Sequence, residues 1–140
     1  MLLLGNGRLV TWDSANPYIE NGCVAMEGNV IRAVGTTGEM KKQFPDAKFM
    51  DAKGGVIMPG FINAHNHIYS AFARGLGIKN SNPSTLLAVL DGLWWTIDRN
   101  LMLKDTRMSA DATMIDCIEN GVTTMFDHHA SFGEIGGSLF

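Results

Sequence analysis

Two histidines separated by one residue, His65 and His67, close an apolar run that opens with Pro59-Gly60-Phe61-Ile62. In a strand, successive side chains leave on opposite faces, so both imidazoles project the same way from its end and can grip one cation. Neutral imidazoles suit zinc, iron and related divalent ions. His-x-His alone is a weak motif, and the surrounding chain has to carry the argument.

Before this stretch the sequence reads as β-rich. Residues from Leu2 to Trp12 alternate apolar positions with Gly-Asn-Gly punctuation, and Asp13-Ser14-Ala15-Asn16-Pro17 supplies a turn. Gly22–Glu27 and Val30–Gly35 flank Gly28-Asn29, a Gly-first linker that predicts a type II′ hairpin. Glu39 to Phe44 reads as a short helical turn ended by Pro45. Lys48–Ala52 and Val56–Met58 then read as strands split by Gly54-Gly55.

After His67, residues 68–77 form a long connection, which makes Arg74 a candidate substrate contact; a solvated loop arginine is the competing reading. Asn82 with Pro83 predicts a helix start, and Leu86, Leu87, Leu90, Leu93, Trp94, Ile97 and Leu101 follow at helical spacing. Trp94 on that stripe reads as packing, while Trp95 lies off it. A second helix is expected over about 106–120, with Met108, Ala112, Ile115 and Ile118 on one face and Gly121 ending it. Val122 to Asp127 has the character of a parallel strand buried on both faces. The unit from Phe61 to Asp127 is therefore a strand, a helical crossover and a second strand, with Pro59-Gly60 as the one domain boundary.

The block Gly55 to His67, with its Pro-Gly-Phe-Ile-Asn-Ala-His-Asn-His core, resembles the first barrel strand of the amidohydrolase superfamily. Gly121-Val122-Thr123-Thr124-Met125-Phe126-Asp127-His128-His129-Ala130-Ser131 resembles the second strand of its cytosine deaminase, chlorohydrolase and guanine deaminase branch, closest to the SsnA-type aminohydrolases. The resemblance implies an α/β fold: the start of a metal-dependent (β/α)8, TIM-like barrel, preceded by part of a small β-sandwich. Residues 1–58 are then the N-terminal part of a composite β-sandwich domain, and 59–140 are the first two β/α units. It also implies an incomplete chain, an N-terminal fragment inactive alone, because a whole barrel takes about 250 residues. The remaining ligands and acid–base residues are expected beyond Phe140.

By the same resemblance His65 and His67 are two ligands of one divalent metal, zinc first and iron as the alternative. Such a metal makes water nucleophilic near neutral pH, and the implied reaction is hydrolysis of a C–N bond in a small cyclic or heteroaromatic compound. Asp127 and His129 on one face, or His128 on the other, are candidates for substrate contact or for orienting the ligands; alternation does not fix which face is inward. Competing readings are a dihydropyrimidinase-like ring-opening enzyme and a non-catalytic β-rich fragment.

Composition narrows the partners. With 46% hydrophobic and 18% charged residues, the chain reads as globular. A net charge of −3 with scattered Lys and Arg argues against nucleic acid or membrane as partner. Gly5, Asn6, Gly7 and Arg8 interrupt the apolar start before a secretory core forms. Cys23 and Cys117 lack metal-site or disulfide-scaffold spacing. A cytoplasmic protein is expected, acting on a small molecule and able to form a homo-oligomer at full length.

Overall fold

The computed structural model describes residues 1–77, 79 and 82–138, which form two compact units, Met1–Pro59 and Gly60–Phe140.

In the first unit, β1 (Leu2–Val10), β2 (Tyr18–Glu27) and β3 (Val30–Thr36) form an antiparallel meander. Along the other edge of β1 run β4 (Lys48–Asp51) and then β5 (Val56–Ile57), both parallel to it. The hairpin closes through Glu27 opposite Val30, with φ +60 at Gly28 and no positive φ at Asn29, the II′ pattern. Helix α1 (Thr37–Gln43) starts in a capping box: the Thr36 side chain accepts from Glu39 N, and Glu39 accepts from Thr36 N.

β1 carries a bulge around Asn6, whose φ is +56. The extra residue changes which face the following side chains take. Leu3 accordingly packs with Cys23, Ala25 and Met40, whereas Leu9 packs with Val24 and Ile57 in a second cluster. Among the described residues these strands make one sheet with α1 against it.

In the second unit, β6 (Phe61–Asn66) pairs in parallel with β7 (Val122–Asp127). The predicted long connection instead begins with a 3-10 turn, Ile68–Ala73, kinked at Ser70. The first helix starts later than Asn82 predicts. Thr85 caps α2 (Leu86–Val89) by accepting from Ala88 N, a π-turn follows over Leu90–Trp94, and α3 (Trp95–Asn100) completes the run. The π-turn inserts one residue, so a plain 3.6 period read through it misplaces the stripe; Leu86 and Leu87 are exposed.

Helix α4 (Leu103–Glu119) ends at Gly121, φ +72, as its sequence predicts. Its apolar stripe is exposed in this chain. Thr106, Ser109 and Cys117 are buried, whereas Met108, Ile115 and Ile118 are 50%, 58% and 75% exposed. The helix lies against the 3-10 turn, and small side chains allow that close approach. β7 is likewise not buried on both faces, since Phe126 is 61% exposed.

Candidate metal centre

Asparagine side chains end β6 and release its histidines. Asn63 Oδ1 accepts from His65 N at 3.3 Å, and Asn66 Oδ1 accepts from His67 N at 2.9 Å. These short-range bonds compete with the ladder for the strand's donors, and the β6–β7 register shifts between Asn63 and Asn66. Both imidazoles are exposed and converge, with Nε2 to Nε2 at 3.2 Å.

That distance bears on metal binding. Two nitrogens at zinc–imidazole distances on one tetrahedral ion lie about 3.3–3.4 Å apart. His67 Nδ1 donates to the His128 backbone carbonyl at 2.8 Å. A carbonyl only accepts, so in the neutral ring the proton sits on Nδ1 and the Nε2 lone pair is free for a cation. The pair thus fits a divalent metal in spacing and tautomer. Among the described residues no group of three or more His, Cys, Asp or Glu side chains is arranged to hold one, so these two imidazoles are a partial ligand set.

The β7 end resolves the parity. His128 lies on the His65 and His67 side, its ring stacked on His65 at 4.4 Å and 29° and its centroid 5.7 Å from His67. Asp127 and His129 share the other side. Asp127 orients neither His65 nor His67: its Oδ2 accepts from His129 Nδ1 at 3.0 Å, and its Oδ1 accepts from Ile68 N at 3.0 Å. With Nδ1 protonated, neutral His129 accepts at Nε2 from Ser131 Oγ, 2.7 Å away. The carboxylate therefore ties the end of β7 to the residue after His67.

A cavity of about 400 Å³ opens beside the histidines, lined by His65, His67, Arg74 and Trp94 among others. Trp94 is half-buried at its wall, 6.3 Å from the His67 ring, rather than purely packed. Arg74 meets Asp116 at 3.5 Å with its side chain 82% exposed, a pair too solvated to hold it firmly. Two contributors were not singled out from sequence. Tyr69 packs edge-on to His67, and both Tyr69 and Asp98 of α3 are buried. Burial, then Asp98, push the Tyr69 hydroxyl far above its usual range, and burial raises Asp98.

The fold and site define a mixed α/β chain whose strand end presents two imidazoles at metal-binding spacing. Residues 22–47 match the family model described as an imidazolonepropionase-like composite domain, bacteria. A 5-methylthioadenosine/S-adenosylhomocysteine deaminase of Pelotomaculum thermopropionicum is 24% identical over 138 residues, 99% of this chain and 31% of that protein; one from Bacillus cereus is 26% identical over 122 residues, 87% and 27%. The structure of atrazine chlorohydrolase TrzN from Arthrobacter aurescens, complexed with zinc, superposes with a TM-score of 0.73 at 25% identity, covering 92% of this chain and 29% of that one. E. coli guanine deaminase shares the fold, with a TM-score of 0.69 at 21% identity over 92% of this chain and 31% of that one. Together these likenesses support the amidohydrolase superfamily for this chain. The chain spans less than a third of the length of these relatives.

Proposed function

We propose that the whole protein is a metal-dependent aminohydrolase that hydrolyses a C–N bond in a small cyclic or heteroaromatic compound. The carrying observation is the 3.2 Å approach of His65 Nε2 and His67 Nε2, with the His67 tautomer set by the His128 carbonyl. These two residues would hold one divalent cation, zinc before iron, whose Lewis acidity makes water nucleophilic near neutral pH. Zinc in the TrzN structure and the deaminase names of the relatives support this reading. The remaining ligands and the acid–base groups then belong to parts of the protein this chain does not span.

In this reading residues 1–58 contribute to a composite β-sandwich and 59–140 begin a (β/α)8 barrel. The parallel β6–β7 pair supports the second assignment, as does the exposed apolar surface of Phe61, Ile62 and Phe126, which further barrel elements would cover. Arg74 and His128 face the substrate side, and Asp127 with His129 brace the β7 end. We read the protein as cytoplasmic and able to form a homo-oligomer, with a small molecule as its partner. Two cysteines free of disulfides fit that compartment, and no helix among the described residues is long and apolar enough to cross a membrane. The test is ammonia release from a panel of amino-substituted purines, pyrimidines and triazines by the full-length protein, loaded with zinc and again after chelation. Chelator-sensitive release is expected; release that survives complete metal removal refutes the proposal.

A further inference from the structure

On the side of β7 away from the paired imidazoles, three side chains form a hydrogen-bonded chain. Ser131 Oγ lies 2.7 Å from His129 Nε2, His129 Nδ1 donates to Asp127 Oδ2 at 3.0 Å, and Asp127 Oδ1 accepts from Ile68 N at 3.0 Å. An acid, an imidazole and a hydroxyl in this order can activate a serine nucleophile. Here they present none, since Ser131 is 4% exposed and the three stand apart from the cavity that His65 and His67 line. What the chain reaches is backbone. Ile68 N belongs to the peptide that leaves His67, where β6 has ended at Asn66 and the 3-10 turn begins. His67 has φ −130 and ψ 71, neither strand nor helix, so this peptide lies outside the regular hydrogen bonding of both elements.

Two side-chain oxygens therefore hold the peptides on either side of His67: Asn66 Oδ1 takes His67 N and Asp127 Oδ1 takes Ile68 N. Peptide units are planar, so with both planes fixed the Cα–Cβ bond between them has one direction. The Asp127 carboxylate meets His129 through one oxygen and Ile68 through the other, so the His129 bond decides where Oδ1 points. The His129 ring is itself held at both nitrogens, by Asp127 and by Ser131. We propose that His129 is a positioning residue for His67: by aiming the Asp127 carboxylate it holds the peptide after His67, and so sets the direction in which that imidazole leaves the backbone. This rests on His65 and His67 being metal ligands.

The test measures zinc affinity of the full-length protein by competition with a chromophoric chelator. A thermal melt checks each variant's fold, and NMR of isotope-labelled isoleucine follows exchange of the Ile68 amide. His129→Ala releases the carboxylate and is expected to weaken zinc binding about tenfold, the lower end of the range for partners that orient a ligand. In the same variant the Ile68 amide should exchange faster relative to other isoleucine amides. His129→Asn, whose side-chain N–H can donate to Asp127 from the place of Nδ1, is expected to stay within about threefold of wild type because the orienting bond is kept. Wild-type affinity in folded His129→Ala overturns the inference. So does a His129→Asn loss as large as that of His129→Ala, and so does weaker zinc binding without faster Ile68 exchange, since the effect would then not run through the peptide. If His129→Ala does not fold, Ser131→Ala, which frees the same ring at one nitrogen by removing a single oxygen, decides the matter: wild-type affinity there overturns the inference. His67→Ala should lose zinc: if it binds like wild type, the metal reading falls and this inference with it, whereas loss in His67→Ala with none in His129→Ala overturns this inference alone.

Discussion

Replacing Gly28 by Val tests whether the first hairpin is set by its backbone and is separate from the histidine chemistry. Gly28 has φ +60, and a Cβ built there meets nothing within 4 Å. The substitution therefore introduces no clash, and its cost is the left-handed conformation itself, about 1–2 kcal/mol for an L-residue. In a unit the size of Met1–Pro59, each kcal/mol moves the melting midpoint by about 4–8 °C, so a drop of about 4–16 °C is expected in its transition. Gly28→Asn supplies the control, because asparagine visits positive φ more readily and should lose less. Melts followed by far-UV circular dichroism read both variants, and zinc affinity should be unchanged in each. An unmoved midpoint in Gly28→Val, or an equal loss in Gly28→Asn, would refute the backbone argument.

Replacing His65 or His67 by Ala should abolish catalysis in the full-length protein and leave the fold intact, since both side chains are exposed; full metal occupancy by elemental analysis in the double variant would contradict the ligand assignment. Asp127→Ala should destabilise by about 1–3 kcal/mol, because it strands the part-buried Ile68 N–H, whereas Asp127→Asn keeps an acceptor; denaturant unfolding compares them. Hydrogen bonds from Thr36 hold the Glu39 carboxyl below its ordinary value. Its cap therefore stabilises α1 above the unfolded carboxylate pKa of about 4.3 and is lost as pH falls through the lower folded value. The midpoint difference between wild type and Glu39→Ala should accordingly be present at neutral pH and vanish in acid, and a difference constant across pH would contradict this.

Where local chemistry decides the structure, the sequence could be read directly. Gly28-Asn29 between alternating segments, Gly121 after a helix and the β-branched run that starts at Val122 each specify their geometry within a few residues. The helix faces were harder. Met108, Ile115 and Ile118 form an apolar stripe that is exposed in this chain, whereas Thr106, Ser109 and Cys117 are buried on the helix that lies against the 3-10 turn. The π-turn over Leu90–Trp94 changes the period that places Trp94. At the site, spacing marks His65 and His67 only as candidates, and the Pro59-Gly60-Phe61 block before them carries the rest of the reading. The group that fixes the His67 tautomer is a backbone carbonyl, which no residue type announces, and Tyr69 and Asp98 lie 29 positions apart with nothing local to join them.

These contacts make the parallel pairing of β6 and β7 part of the candidate metal site. Opposite Asn66 stands Asp127, and from that register three bonds follow: His128 N to Asn66 O at 2.7 Å, His67 Nδ1 to His128 O at 2.8 Å and Ile68 N to Asp127 Oδ1 at 3.0 Å. A slip of one residue would carry His128 to the opposite face and bring Asp127 and His129 toward the imidazoles. The carbonyl that sets the His67 tautomer would be lost in the same step. The Asn63 and Asn66 side chains loosen the ladder where the histidines emerge, so the register there depends on the bonds just named rather than on regular strand pairing. Ligand geometry and strand register are therefore one variable at this strand end, and a perturbation of β7 distant from any imidazole, provided it shifts the register, should reach the metal.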